Sequence, residues 1–144
     1  MANFFDDVIE ETSVKPPIAV LKELAQELAQ KTQGLLVGKV EQSNRSNDFS
    51  LEFYITAPSL NNYSYEVFRV KHNLNFYPLM LTKTADMGTG EGLAARAGLS
   101  SVVTGYGADE VKNLEKFEEK LKIIFSSPEV KKVINGLLAQ IKSA

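Results

Sequence analysis

Three sets of residues in this 144-residue chain could carry chemistry: a sole histidine, a glycine-rich run, and several adjacent carboxylates. His72 is the only histidine, so a Ser-His-Asp arrangement would have to use it. Ser100 and Ser101 are possible nucleophiles, but neither lies in the GxSxG spacing of a nucleophile elbow. His72 sits beside Asn73 in a predicted hairpin turn, where a solvated polar residue is expected.

The glycine-rich run spans 85–107 and holds six of the nine glycines. Within it, Gly88-Thr89-Gly90-Glu91-Gly92 could turn backbone N–H groups toward a phosphate. A P-loop requires Lys and then Ser or Thr after its last glycine, and Leu93 follows Gly92 instead. Leu93 also breaks the dinucleotide pattern, and Glu91 would repel a phosphate unless it held a metal. Arg96 is the one cation within the run. The run therefore reads as a connector, a contact loop or a lid, with a short strand at 100–104 as one way to shorten it.

The carboxylate pairs Asp6/Asp7, Glu10/Glu11, Asp109/Glu110 and Glu118/Glu119 are adjacent in sequence. Neighbouring residues on a helix do not face one another, so these pairs are not preformed clamps. No EF-hand spacing occurs, and the sequence assigns no metal site, no cofactor and no catalytic residue. The chain has no cysteine, which removes disulfides, thiolate catalysis and Cys-ligated metals and fits a reducing cytoplasm. A net charge of −2 gives no electrostatic case for nucleic acid or an anionic membrane. No window approaches the ~18 apolar residues of a membrane span. Asp6, Asp7, Glu10 and Glu11 interrupt the N-terminal apolar pattern, unlike a secretory signal. Together these features predict a soluble, cytoplasmic protein.

The elements that position these residues follow from periodicity. Phe4, Phe5, Val8 and Ile9 suit a short helix that docks one apolar edge. Pro16-Pro17 opens a second helix over 18–32, striped by Ile18, Leu21, Ala25 and Leu28, with Gly34 as its stop. The period then becomes two. Strands are predicted over 35–41, over 49–56 from the alternation Phe49, Leu51, Phe53, Ile55, over 63–71, and over 76–83. Pro78 inside the last of these implies an edge strand or a bulge. Short links between them imply antiparallel neighbours. Val111, Leu114, Phe117, Leu121, Ile124 and Phe125 form a helical stripe. Ser127-Pro128-Glu129 starts a final helix that carries Val130, Val133, Ile134, Leu137, Leu138 and Ile141.

The expected fold is one α+β domain over 1–144: an N-terminal helix, a four- or five-stranded antiparallel meander, the Gly-rich connector, and two C-terminal amphipathic helices packed on one sheet face. Eight of the thirteen aromatics fall between Phe49 and Tyr77, which sheet packing explains better than base stacking. Val67 with Phe68, and Tyr77, Leu79 and Leu81 opposite Phe76 and Met80, suggest strands apolar on both faces and hence a second covered face. The functional expectation is therefore a non-enzymatic interaction protein. It would bind a protein partner or itself, as a homodimer, through a sheet face and the 85–107 connector. The alternative is a small-ligand domain, for an anionic ligand, with that connector as lid. The contact residues expected under these readings are Gly88, Thr89, Gly90, Glu91, Arg96, Tyr106, Arg69 and His72.

Overall fold

The computed structural model describes residues 5, 8, 9, 14–83 and 108–143. Helix α1 covers Pro17–Lys31, with Pro17 in its first turn as the sequence predicts. Gly34 lies just beyond it at φ +82°, and its N–H donates to Ala29 O at 2.8 Å. Five strands follow: β1 (Val37–Arg45), β2 (Asp48–Ala57), β3 (Tyr63–His72), β4 (Leu79–Lys83) and β5 (Ala108–Val111). They form one antiparallel sheet in sequential order, β1-β2-β3-β4-β5. Helix α2 (Leu114–Phe125) and helix α3 (Pro128–Ser143) complete the described chain. The α+β class, the N-terminal helix, the meander and the C-terminal helix pair are all as expected.

Each helix start has a local cause. The Asn113 side chain accepts from Lys116 N–H at 2.8 Å and caps α2. The Ser127 hydroxyl accepts from Val130 N–H at 3.4 Å and donates to Ile124 O at 2.7 Å, tying the end of α2 to the start of α3. Val111, expected in the helical stripe, instead pairs with Leu79 as the last residue of β5. Residues 100–104, where the sequence allows a short strand, lie outside the described residues.

Leu51, Phe53, Ile55 and Ala57 of β2 are all buried, and so are Phe68 and Val70 of β3 and Leu79 and Leu81 of β4. Against this face pack Val20 and Leu21 of α1, Phe117, Leu121 and Ile124 of α2, and Val130 and Leu137 of α3. Phe53 and Phe68 stack with centroids 5.4 Å apart, and Phe125 meets Phe53 edge-on at 5.7 Å.

The two-faced reading of the third strand is corrected by a β-bulge. Phe53 pairs with Phe68, but the next residue, Tyr54, pairs with Glu66. Val67 is the extra residue, so Val67 and Phe68 both turn to the helix side while Glu66 and Arg69 turn away. The fourth strand is also shorter than predicted. It begins at Leu79, so Pro78 precedes the ladder, and β4 is an inner strand between β3 and β5. Phe76 takes φ +68° outside the strand.

Away from the helices the sheet is polar. Lys39 and Glu41 pair at 3.1 Å, the Tyr54 hydroxyl donates to Glu52, and Arg69 pairs with Glu66. Thr56 and Ser64 bond across the β2–β3 ladder at 3.0 Å. Met80 interrupts this polar surface as a partly exposed apolar residue. Among the described residues no helix is long and apolar enough to cross a membrane.

Tyr77 gives the fold an alkaline sensitivity. Its hydroxyl donates to Lys15 O at 3.3 Å, and burial, with a smaller effect of Glu118, pushes its pKa up to about 12. Below its unfolded pKa near 10 the phenol is protonated in both states. As pH rises from about 10 toward 12 the unfolded chain loses that proton first, so the native state binds more protons and stability falls. Denaturant titrations across this range will show a declining limb that Tyr77→Phe makes shallower, while Tyr65, also raised by burial, keeps part of it. An unchanged limb in that variant would contradict the assignment.

Candidate functional site

The sequence-named candidates separate in the fold. Gly88, Thr89, Gly90, Glu91, Arg96 and Tyr106, with the rest of the 85–107 connector, lie outside the described residues. Arg69 stands on the polar sheet face, exposed, its guanidinium bound by Glu66. His72 stands on the opposite, helix-side face, because the two positions differ by an odd number along one strand.

His72 is buried, not solvated in a turn as the sequence suggested. β3 runs one residue further than predicted, so His72 keeps the inward phase of Phe68 and Val70. Its ring lies 5.4 Å from Phe49 and 6.0 Å from Phe76, and Nδ1 is 2.7 Å from Asn73 O. An imidazole stacked on Phe49, set edge-on to Phe76 and bonded to a backbone carbonyl is placed as a packing group. Among the described residues no group of three or more His, Cys, Asp or Glu is arranged to hold a metal ion.

The larger concavity lies elsewhere, at the far end of the sheet. The β2–β3 connection, a single helical turn at Pro58–Leu60, brings Leu60 and Tyr63 against α3. Facing them are two adjacent rows of α3: Lys132, Gly136 and Gln140, then Val133 and Leu137. The groove between them has a volume of about 420 Å³. Its floor and one wall are apolar, Lys132 and Gln140 stand at its rim, and Tyr63 is 50% exposed. The space in front of Gly136 is open, since a Cβ built there would meet nothing within 4 Å.

A second cavity of about 120 Å³ lies between β3 and the α2–α3 junction, lined by Tyr65, Val67, Ile124 and Val130 among others. It falls below the ~300 Å³ that small-molecule sites usually need.

The sequence marks none of the groove residues as a contact. Val133 and Leu137 were read correctly as the apolar stripe of the last helix, but that stripe is wider than the sheet can cover. Val133, Ile134, Leu138 and Ile141 remain only half-buried. The one available signal was Gly136, a poor helix former in the middle of the strongest helix. Comparison with family models, curated proteins and solved structures finds no match to this chain.

Proposed function

We propose that this is a non-enzymatic interaction protein that binds a protein partner through the groove between the β2–β3 connection and α3. The observation that supports this most is the groove itself: apolar floor, exposed tyrosine wall, and a glycine that leaves room for an incoming side chain. Tyrosine is enriched at the energetic centres of protein interfaces, and amphipathic helices bind by laying apolar side chains into grooves of this kind. The polar sheet face is a weaker candidate, because Lys39 already pairs there with Glu41 and Arg69 with Glu66. Arg69 and His72, on opposite faces of β3, do not converge on a reacting group. A cysteine-free chain fits work in the reducing cytoplasm.

The small-ligand alternative draws on the same volume, which falls within the usual range for such sites. Its polar complement is limited to Lys132, Gln140 and the Tyr63 hydroxyl. The proposed lid, 85–107, lies outside the described residues.

The test is fluorescence anisotropy with a designed helical peptide that carries leucines at i, i+3, i+4 and i+7 and acidic residues between them. The full chain will bind it, and Gly136→Trp, which fills the groove, will weaken binding at least ~10-fold. Gly136→Ala adds only a methyl in open space. It will keep binding while raising stability by about 0.5–1 kcal/mol. Equal affinity for the wild type and the Trp variant would overturn the proposal.

A further inference from the structure

We infer that the occupant of this groove is the N-terminal apolar turn of a second copy of the chain, an inference that rests on the groove being a protein-docking site. The turn is visible in the structure. The N–H groups of Val8 and Ile9 both donate to Phe5 O, at 3.1 and 3.0 Å. Phe5, Val8 and Ile9 therefore stand at i, i+3 and i+4 on one face. They are 66%, 69% and 75% exposed, the docked edge expected from the sequence being unmade on the described core. Three large apolar side chains on one face of a single turn are the anchor pattern of helix-in-groove recognition.

Charge matches the two surfaces. Asp6, Asp7, Glu10 and Glu11 flank the anchors in the sequence. The groove carries Lys132 at its rim, with exposed Lys131 beside it on α3. An acidic segment approaching this rim is steered favourably, whereas a basic one is repelled.

Topology makes the match one between copies. The groove lies at the Ala57–Tyr63 end of the β2–β3 ladder. The start of α1 is tied to the opposite end, where Tyr77 donates to Lys15 O just before β4. β3 is ten residues long, which separates the two ends by roughly 30 Å at ~3.3 Å per residue. Ile9 precedes Lys15 by six residues, a reach of roughly 20 Å even when fully extended. The turn therefore does not reach its own groove, and a second copy supplies either the turn or the groove.

Sedimentation velocity on the full chain over a concentration series tests this. The wild type will show concentration-dependent association. Phe5→Asp combined with Ile9→Asp will abolish it, as will Gly136→Trp alone. Circular dichroism will confirm that both variants fold; the substituted positions are exposed or open in the structure. The decisive arm mixes the two variants. The Gly136→Trp chain keeps its turn and the Asp variant keeps its groove, so the mixture will form a mixed complex that neither forms alone.

A monomeric wild type would overturn the inference, and so would association that survives in both variants or a mixture that stays monomeric. If the wild type is monomeric yet the designed peptide still binds and is blocked by Gly136→Trp, the inference alone fails and the groove reading stands. If that peptide does not bind either, both fail.

Discussion

Phe53→Ala will lower the stability of the fold by about 3–5 kcal/mol, a large share of the ~5–15 kcal/mol that holds a typical domain. Phe53 is 1% exposed and lies at the meeting point of three elements. Its ring stacks on Phe68 at an interplanar angle of 5°, receives the edge of Phe125 from α2, and closes over Gly38 on β1. Removing it costs the transfer of the ring, its aromatic contacts and the cavity left behind. The surrounding groups cannot collapse into the space easily, because Phe68 is fixed by the bulged ladder and Phe125 ends its helix. Thermal denaturation will report a drop in midpoint of roughly 10–20 °C for a chain of this size. A drop of only a few degrees would mean that the sheet–helix core is not organised around this residue.

Gly38→Ala is the opposite kind of error and nearly as severe. A Cβ at this position would lie 2.5 Å from Ala25 Cα, 2.7 Å from Ala25 Cβ and 3.0 Å from the tip of the Phe53 ring. The nearest atom is backbone, so no side-chain rotation relieves the clash. α1 must lift away from β1, and the expected loss is at the upper end of the ~1–3 kcal/mol usual for overpacking. Ala25→Gly in the same chain will recover only part of it. That change removes one of the two α1 contacts, leaves the helix backbone in place, and adds the ~1 kcal/mol penalty of glycine within a helix. A double-mutant cycle by urea denaturation measures the coupling, and strict additivity would contradict the close approach.

These two residues also show what could be read from the sequence. The alternation Phe49, Leu51, Phe53, Ile55 places Phe53 inside, because period two admits one inward phase. Pro17, Gly34 and Ser127-Pro128 punctuate the helices where their backbone chemistry requires. Gly38 carries no such signal, since the need for glycine there comes from a helix distant in sequence.

The bulge at Val67 was hidden for a related reason. Consecutive apolar residues read equally as a two-faced strand or as one face with an extra residue, and only the register against β2 decides. β5 has no clear mark in the sequence because Ala108-Asp109-Glu110-Val111 is only four residues long and half of it is charged. The groove was invisible because Leu60, Tyr63 and Gly136 are brought together by topology, with no spacing along the chain to mark them.

The central claim, that this groove and not the polar sheet face is the binding surface, is tested most directly by residue-resolved NMR. The full chain, labelled with ¹⁵N, is titrated with the same acidic amphipathic peptide. The backbone amides of Tyr63, Lys132, Val133, Gly136 and Gln140 will shift together and saturate together, while those of Glu52, Glu66 and Arg69 stay in place. Shifts concentrated on the sheet residues, or no shifts at peptide concentrations that saturate the anisotropy signal, would contradict it.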